Sequence, residues 1–365
     1  MPPLQIMIKP VSGSCNLRCK YCFYIDEMSH RSNALYGKMS FATAETLIRK
    51  AFICADDSIF FSFQGGEPLL AGLEYYSFFV KTVEKYNVRK LQINYSIQTN
   101  GTILSDDFCS FFAKEGFLVG VSLDGVESVH NAYRVDSNNN GSYSLVMDGI
   151  RMLQKHGVDF NILCVITKET AKNIYDVIKS LRKYENIQFI PCIDSFDEND
   201  IGHSLDADEY GRVLVEIFQN YSASFFSKDR FSERRMDNYI SMLLGYPPEH
   251  CGMSGCCGVY YLIEADGSVF PCDFYVLDQW CLGNINDTSF LRMEKSERAL
   301  NFHRQSREVP HECSSCDYYF ICRGGCRRDR EPDMVHNRFC ASYKYFFDKC
   351  IDDMKILAEK IGKDL

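Results

Sequence analysis

No apolar run in this 365-residue chain approaches the ~20 residues that a bilayer-spanning helix needs. The opening MPPLQIMIKP also lacks the basic n-region and long apolar core of a secretion signal. Positive charge is not in excess: 40 Lys and Arg face 49 Asp and Glu, for a formal charge of −9, which repels a phosphate backbone. Neither membrane nor nucleic acid is therefore an expected partner, and a cytoplasmic location is expected. Internal repeats, low-complexity tracts and long linkers are missing as well. With 46% hydrophobic and 14% aromatic residues there is ample material for one to three folded domains, which excludes a disordered or fibrous chain.

Cysteine is the residue in excess. Eighteen in 365 is below the ~8–10% of a disulfide scaffold, and without a secretion signal the thiols belong in a reducing compartment. Clustered thiols there point to metal. Three fall within residues 15–22, and the densest remainder lies beyond residue 250.

Six β-branched or aromatic runs recur before residue 194: Leu4–Lys9, Ile59–Phe63, Leu91–Gln98, Phe117–Leu123, Phe160–Thr167 and Ile187–Ile193. Each reads as a buried strand. Helical spacing fills the gaps, around 41–54, 72–86, 105–115, 144–156 and 169–184, with a further helix over 206–226. This alternation predicts an α/β fold with a parallel sheet, and six units favour a partial (βα)6 barrel. After about residue 230 the alternation stops and Gly, Cys and Pro cluster. The expected division is 1–230 for the barrel and 231–365 for a small Cys-rich domain. Within the latter, YYLIEADGSVF (260–270) reads as a β-hairpin around Asp266-Gly267, and a last helix covers roughly 341–361.

Ligands of such sheets sit at the carboxyl ends of the strands, which draws attention to SGSCNLRC, QGGEP, QTNGT, SLDG and PCIDS. Cys15, Cys19 and Cys22 form C-x3-C-x2-C directly after the first strand. Three thiolates on one loop can hold three irons of a cubane cluster and leave the fourth iron open. A structural zinc would want a fourth ligand nearby, and none follows before His30. Beyond residue 250, spacing sorts eight cysteines into Cys251, Cys257 and Cys272, then Cys313-x2-Cys316-x5-Cys322-x3-Cys326, then Cys340. Eight ligands suffice for two fully ligated 4Fe-4S clusters, although Cys256 could replace Cys257. Of the other seven cysteines, Cys164 and Cys192 in strand runs read chiefly as core, and the remaining five carry no assigned role.

Cys15-Asn-Leu-Arg-Cys19-Lys-Tyr21-Cys22 resembles the motif of the radical S-adenosylmethionine (SAM) superfamily. The resemblance implies SAM on the open iron and its reductive cleavage to a 5′-deoxyadenosyl radical. It further implies Tyr21 near the adenine, Gly65, Gly66 and Glu67 of QGGEP at the SAM amino group, Ser122 and Arg134 at its ribose or carboxylate, and Ile193 as an apolar adenine contact. Residues 251–343 are similar to the SPASM auxiliary-cluster domain. That match assigns one cluster to Cys251, Cys257, Cys272 and Cys326 and another to Cys313, Cys316, Cys322 and Cys340, so three 4Fe-4S clusters in all.

Over its whole length the chain resembles the anaerobic sulfatase-maturating enzymes, through FQGGEP, QTNGT, VGVSLDG, FNILCV, DGSVFPCDFYVLD and CRGGCRR. The implied reaction oxidises a Cys or Ser, in an unfolded sulfatase segment bearing Cys/Ser-x-Pro-x-Arg, to Cα-formylglycine. The radical would abstract hydrogen from Cβ, and an external electron donor would reduce the cluster. Asp273, fixed beside Cys272, would be the proton acceptor, with Tyr24 lining the cavity or packing. A monomer is expected. Two alternatives stand beside this reading. One is a SPASM enzyme that crosslinks ribosomal peptides, for which a first strand at residue 4 leaves no preceding recognition domain. The other is a non-catalytic iron–sulfur carrier.

Overall fold

A computed structural model describes residues 4–196, 202–228, 230–331 and 333–364. The Met1–Pro3 part of the opening motif lies outside these residues. Among them are ten strands: β1 (Leu4–Ile8), β2 (Ser58–Phe63), β3 (Gln92–Thr99), β4 (Phe117–Ser122), β5 (Phe160–Ile166), β6 (Asn186–Pro191), β7 (Ser232–Glu233), β8 (Tyr261–Ile263), β9 (Ser268–Phe270) and β10 (Gly283–Asn284). The first six are the six expected runs, with ends moved by a residue or two, and helices lie between them as the α/β class requires. No helix among the described residues is long and apolar enough to cross a membrane.

The chain divides into two compact units, neither continuous in sequence. The first comprises Met1–Ser122, Asn131–Phe160 and Val259–Phe302. In it, β1 to β4 run parallel, and β8 adds to the free side of β1, also parallel, with Ile6 opposite Tyr261 and Ile8 opposite Ile263. The hairpin β8–β9 and then β10 extend that edge antiparallel. Side chains alternate across this sheet. Ile6, Ile8, Ile59, Phe61, Phe63, Ile97, Val119 and Val121 are buried on one face, where Phe63 packs edge-on to Tyr76 and Phe79 at 5.1 and 5.0 Å. The opposite face carries Met7, Ser62, Ser96, Gln98 and Ser122, all half-buried, together with exposed Phe60 and Leu118. A polar, half-open face at the carboxyl ends of parallel strands is where a ligand can sit.

Helix boundaries follow local chemistry. Ser40 caps Phe41–Cys54 through the Thr43 N–H, and Leu47, Ile48, Ala51 and Phe52 make its buried stripe. Ser105 caps Asp106–Glu115, which Gly116 ends at a φ of 67°. The helix expected over 169–184 is instead two, Lys168–Lys172 and Ile174–Leu181. At the break, the Asn173 side-chain amide donates to the Glu169 carbonyl at 2.9 Å, a local bond that competes with helix continuation.

The second unit comprises Leu123–His130, Asn161–Gly258 and His303–Leu365. There β5, β6 and β7 are parallel. Helix Ala207–Ser224, opened by an Asp206/Glu209 capping box, lies along the final helix Cys340–Asp364. Gly211 permits the approach, since a Cβ there would sit 3.2 Å from the Ser342 Cα.

Candidate active site

The loop between β1 and helix Phe23–Ser29 carries Cys15, Cys19 and Cys22. Backbone hydrogen bonds pin it on two sides: Arg18 and Lys20 N–H to the Val135 and Tyr133 carbonyls at 2.7 and 3.0 Å, and Gly66 and Glu67 N–H to Ser12 and Ser14 at 3.0 and 2.8 Å. The Cys15 sulfur accepts from the Leu17 N–H at 3.3 Å and from the Asn100 amide at 3.7 Å. Burial pushes the Cys15 thiol up to about 11, with the nearby Glu67 and Cys19 charges adding to it. Burial also raises Cys22, opposed by backbone N–H groups and the Arg134 guanidinium. Among the described residues no three His, Cys, Asp or Glu side chains converge to chelate one ion. Ligands of a cluster each take a separate iron. Three half-buried thiols on one loop, with Cys15 sensing the charge of Cys19 and Cys22 that of Cys15, and with N–H donors on Cys15 and Cys22, fit that donor set.

Two glycines clamp this loop. A Cβ on Gly66 would lie 2.1 Å from the Ser14 carbonyl oxygen, and one on Gly65, whose φ is +115°, would lie 2.5 Å from that of Ser12. The close approach is thus to the cysteine loop itself. Fully buried Glu67 has both oxygens engaged: Oε1 by the Leu69 N–H and Thr99 hydroxyl at 3.0 and 2.9 Å, Oε2 by the Asn100 N–H at 2.7 Å. Burial lifts its carboxyl to about 7 despite these donors. Arg134, 7% exposed, sits 5.4 Å above the Tyr21 ring, which meets Tyr133 at 5.7 Å. Tyr21, Arg134 and Cys22 are therefore brought together. Ser122 is half-buried and accepts from Gln98 at 3.1 Å. Ile193 belongs to the second unit, half-buried just beyond β6.

Asp273 opens a one-turn helix after β9 and is 6% exposed. Its Oδ2 accepts from the Tyr24 hydroxyl at 2.8 Å and the Gln64 amide at 3.2 Å, and its Oδ1 lies 3.1 Å from Lys9 Nζ. Lys9 Nζ is also 3.2 Å from Glu27, whose other oxygen accepts the Val276 N–H at 2.9 Å. Burial alone would lower the Lys9 pKa, but Asp273, Glu27 and Glu264 outweigh it and the ammonium is favoured. Burial raises both Tyr24 and Glu27, and the Asp273 charge adds to each. Sequence reasoning reached Asp273 and Tyr24 but missed Lys9, Glu27 and Gln64. The signal for Lys9 was a cation ending an apolar strand, in IMIKP.

In the second unit Cys313, Cys316, Cys322 and Cys340 line a cavity of about 60 Å³ walled by Tyr319 and Tyr343. Burial pushes Cys322 up to about 11, and the charges of the other three add to it. Cys326 is raised by burial and senses Cys251 and Cys257, while its sulfur accepts the Arg328 N–H at 3.4 Å. Burial likewise pushes Cys257 up to about 11. Cys272 ends the β9 segment of the first unit, its sulfur accepting the Phe274 N–H at 3.5 Å. Four thiols around one cavity, and three more within reach of each other's charge, suit iron–sulfur chemistry.

Comparison with known proteins agrees with this chemistry. Residues 10–181 match the Radical SAM superfamily, and residues 256–317 match an iron-sulfur cluster-binding domain named SPASM. A cysteine-type anaerobic sulfatase-maturating enzyme of Clostridium novyi (strain NT) is 40% identical, covering 99% of both chains. A serine-type enzyme of Bacteroides thetaiotaomicron is 30% identical over 98% of this chain and 92% of its own. Among solved structures, native anSMEcpe with bound AdoMet and Cp18Cys peptide superposes with a TM-score of 0.93 at 36% identity, covering 99% of this chain and all of that one.

Proposed function

Since the chain belongs to the anaerobic sulfatase-maturating enzymes, a radical SAM family with a SPASM domain, we propose that it oxidises a sulfatase cysteine or serine to Cα-formylglycine. The observation that carries this reading is the helix after Cys22: it brings Tyr24 and Glu27 to the Asp273 nest, so the element that follows the third thiol of the cysteine loop also holds the candidate base. SAM on an iron–sulfur cluster held by Cys15, Cys19 and Cys22 would supply the deoxyadenosyl radical that takes hydrogen from the substrate Cβ. Tyr21 and Arg134 would hold SAM beside the loop, with the backbone of Gly65 to Glu67, Ser122 and Ile193 completing its contacts.

The Asp273 carboxylate would receive the thiol or hydroxyl proton. Two donors, the Tyr24 hydroxyl and the Gln64 amide, orient it through Oδ2, and Lys9, balanced by Glu27, keeps a positive charge beside Oδ1. Removal of one hydrogen atom by the radical, one proton by Asp273 and one further electron, which an auxiliary iron–sulfur cluster would accept, leaves a thioaldehyde from Cys or the aldehyde from Ser. Water then replaces sulfur in the first case and releases sulfide. The auxiliary ligand sets follow the resemblance: Cys251, Cys257, Cys272 and Cys326, then Cys313, Cys316, Cys322 and Cys340, making three clusters in all. Greater identity to cysteine-type relatives supports cysteine as the preferred substrate.

The test is anaerobic: protein reconstituted with iron and sulfide, SAM, a reductant, and peptides with Cys-x-Pro-x-Arg or its Ser counterpart, followed by mass spectrometry. Aldehyde is expected on both, faster on Cys. Deoxyadenosine with both peptides unchanged would sink the sulfatase reading and favour the ribosomal-peptide one.

A further inference from the structure

The motif Gln98-Thr99-Asn100-Gly101-Thr102 at the end of β3 has no part in the chemistry above, yet it reaches the cysteine loop. Asn100 is 8% exposed. Its Oδ1 accepts from the Thr102 backbone N–H at 2.9 Å and from the Thr102 hydroxyl at 2.7 Å. A backbone N–H only donates, so the amide oxygen is identified and the NH2 group must point the other way. That NH2 donates to Asn16 Oδ1 at 2.8 Å and to Cys15 Sγ at 3.7 Å, a length suited to the larger sulfur atom. Asn16 donates in turn to the Thr102 hydroxyl at 2.8 Å, and the Asn100 N–H donates to Glu67 at 2.7 Å. The amide is thereby held on its backbone, its oxygen and its nitrogen.

We propose that Asn100 is a positioning residue of the SAM-binding cluster, its N–H···S bond to Cys15 fixing that ligand and raising the reduction potential of the cluster the ligand carries. The inference rests on the reading of Cys15, Cys19 and Cys22 as cluster ligands. A donor on a ligand sulfur stabilises the more negative, reduced state, which is one of the levers a protein has on such potentials. Leu17 supplies a second donor to the same sulfur, but from the backbone, which a side-chain substitution leaves in place. Asn100 is the side-chain donor of this pair.

The experiment uses the full reconstituted chain, poised at a series of potentials and read by electron paramagnetic resonance with and without SAM. SAM perturbs only a cluster with an open iron, which separates that signal from the others. Asn100→Asp keeps the size of the side chain and an oxygen towards Thr102, but replaces the donor with a carboxylate oxygen. Its SAM-responsive signal is expected at full iron content and at lower potential. At the wild-type midpoint the reduced-to-oxidised ratio falls more than tenfold, about tenfold from loss of one hydrogen bond to a charged group and the rest from the new carboxylate charge, which the neutral Thr102→Val does not add. Thr102→Val, which loosens the amide and leaves the donor, shifts the same signal less and in the same direction. Should Asn100→Asp fail to fold, Thr102→Val decides. An unmoved midpoint in a fully loaded variant overturns the proposal, and so does an equal shift in every signal. If wild type has no SAM-responsive signal, or Cys15→Ala retains it, the ligand reading itself fails and takes the proposal with it.

Discussion

The loop bearing Cys15, Cys19 and Cys22 and the cavity lined by Cys313, Cys316, Cys322 and Cys340 are both thiol sites, built on opposite plans. The first is an irregular segment with three thiols, held by main-chain bonds to residues 133–135 and by the two glycines of QGGEP, next to a sheet face that stays polar and half-open. The second has four thiols around about 60 Å³, walled by tyrosine rings. Three ligands leave one iron for a substrate or cofactor, whereas four occupy every iron. Number and enclosure, rather than the chemistry of cysteine, separate a site that reacts from one suited to moving electrons or bracing the chain. The Asp273 nest belongs to the same unit as the three-thiol loop, and its buried ion pairs have no counterpart among the side chains lining the four-thiol cavity.

The sharpest way to break this contrast is to replace Cys15, Cys19 and Cys22 together by alanine. Deoxyadenosine formation is expected to fall to background and iron content by about four atoms per chain, with the far-ultraviolet circular dichroism unchanged. Persistent cleavage would mean that the open site lies elsewhere.

Asp273→Asn comes next. Deoxyadenosine should still form near the wild-type rate while aldehyde yield drops about 10²–10⁴-fold, the usual contribution of a positioned base. Undiminished aldehyde by mass spectrometry would remove Asp273 from the chemistry.

Gly66→Ala tests the clamp. Its methyl would overlap the Ser14 carbonyl, both of them main-chain positions, so the cysteine loop must shift at a cost of about 1–3 kcal/mol in stability. Weaker SAM binding by calorimetry and a lower melting midpoint are expected, and wild-type values for both would show that the glycine is dispensable.

The smallest effect on the radical step belongs to the enclosed site. Cys322→Ala should lose about four irons, yet keep SAM cleavage within about twofold, the scale of a substitution outside the reacting groups. A collapse of cleavage would erase the division of labour between the two sites.

Much of the frame was legible because its signals are local. β-branched runs placed the six strands, helical spacing placed Phe41–Cys54 and Asp106–Glu115 to within a residue, and Asp266-Gly267 marked the β8–β9 turn. The break at Asn173 was not legible, since an asparagine within helical spacing reads as an ordinary surface residue until its amide is seen on the Glu169 carbonyl. Helix Arg234–Leu243 did carry a local signal, since its buried Met236, Tyr239 and Ile240 stand at i, i+3 and i+4, but the Gly, Pro and Cys cluster that follows from Gly245 masks it by marking the region as turn-rich. At the site, the cysteines announced themselves by spacing. Lys9, Glu27 and Gln64 did not, because a lone Lys, Glu or Gln in sequence most often means a solvated side chain.

The sequence by itself determined the number and spacing of the thiols, the βα alternation, and a carboxylate covalently fixed beside Cys272. Spacing along a chain sets local geometry directly, so these features survive without knowledge of the fold. Only the tertiary structure decided that β8 pairs with β1, that Val259–Phe302 folds with the N-terminal segments, and that Tyr24 reaches Asp273 across 249 residues. The reason lies in burial. Lys9, Glu27 and Asp273 each incur a desolvation cost if buried alone, and they become a stable group only when the sheet brings all three together out of water.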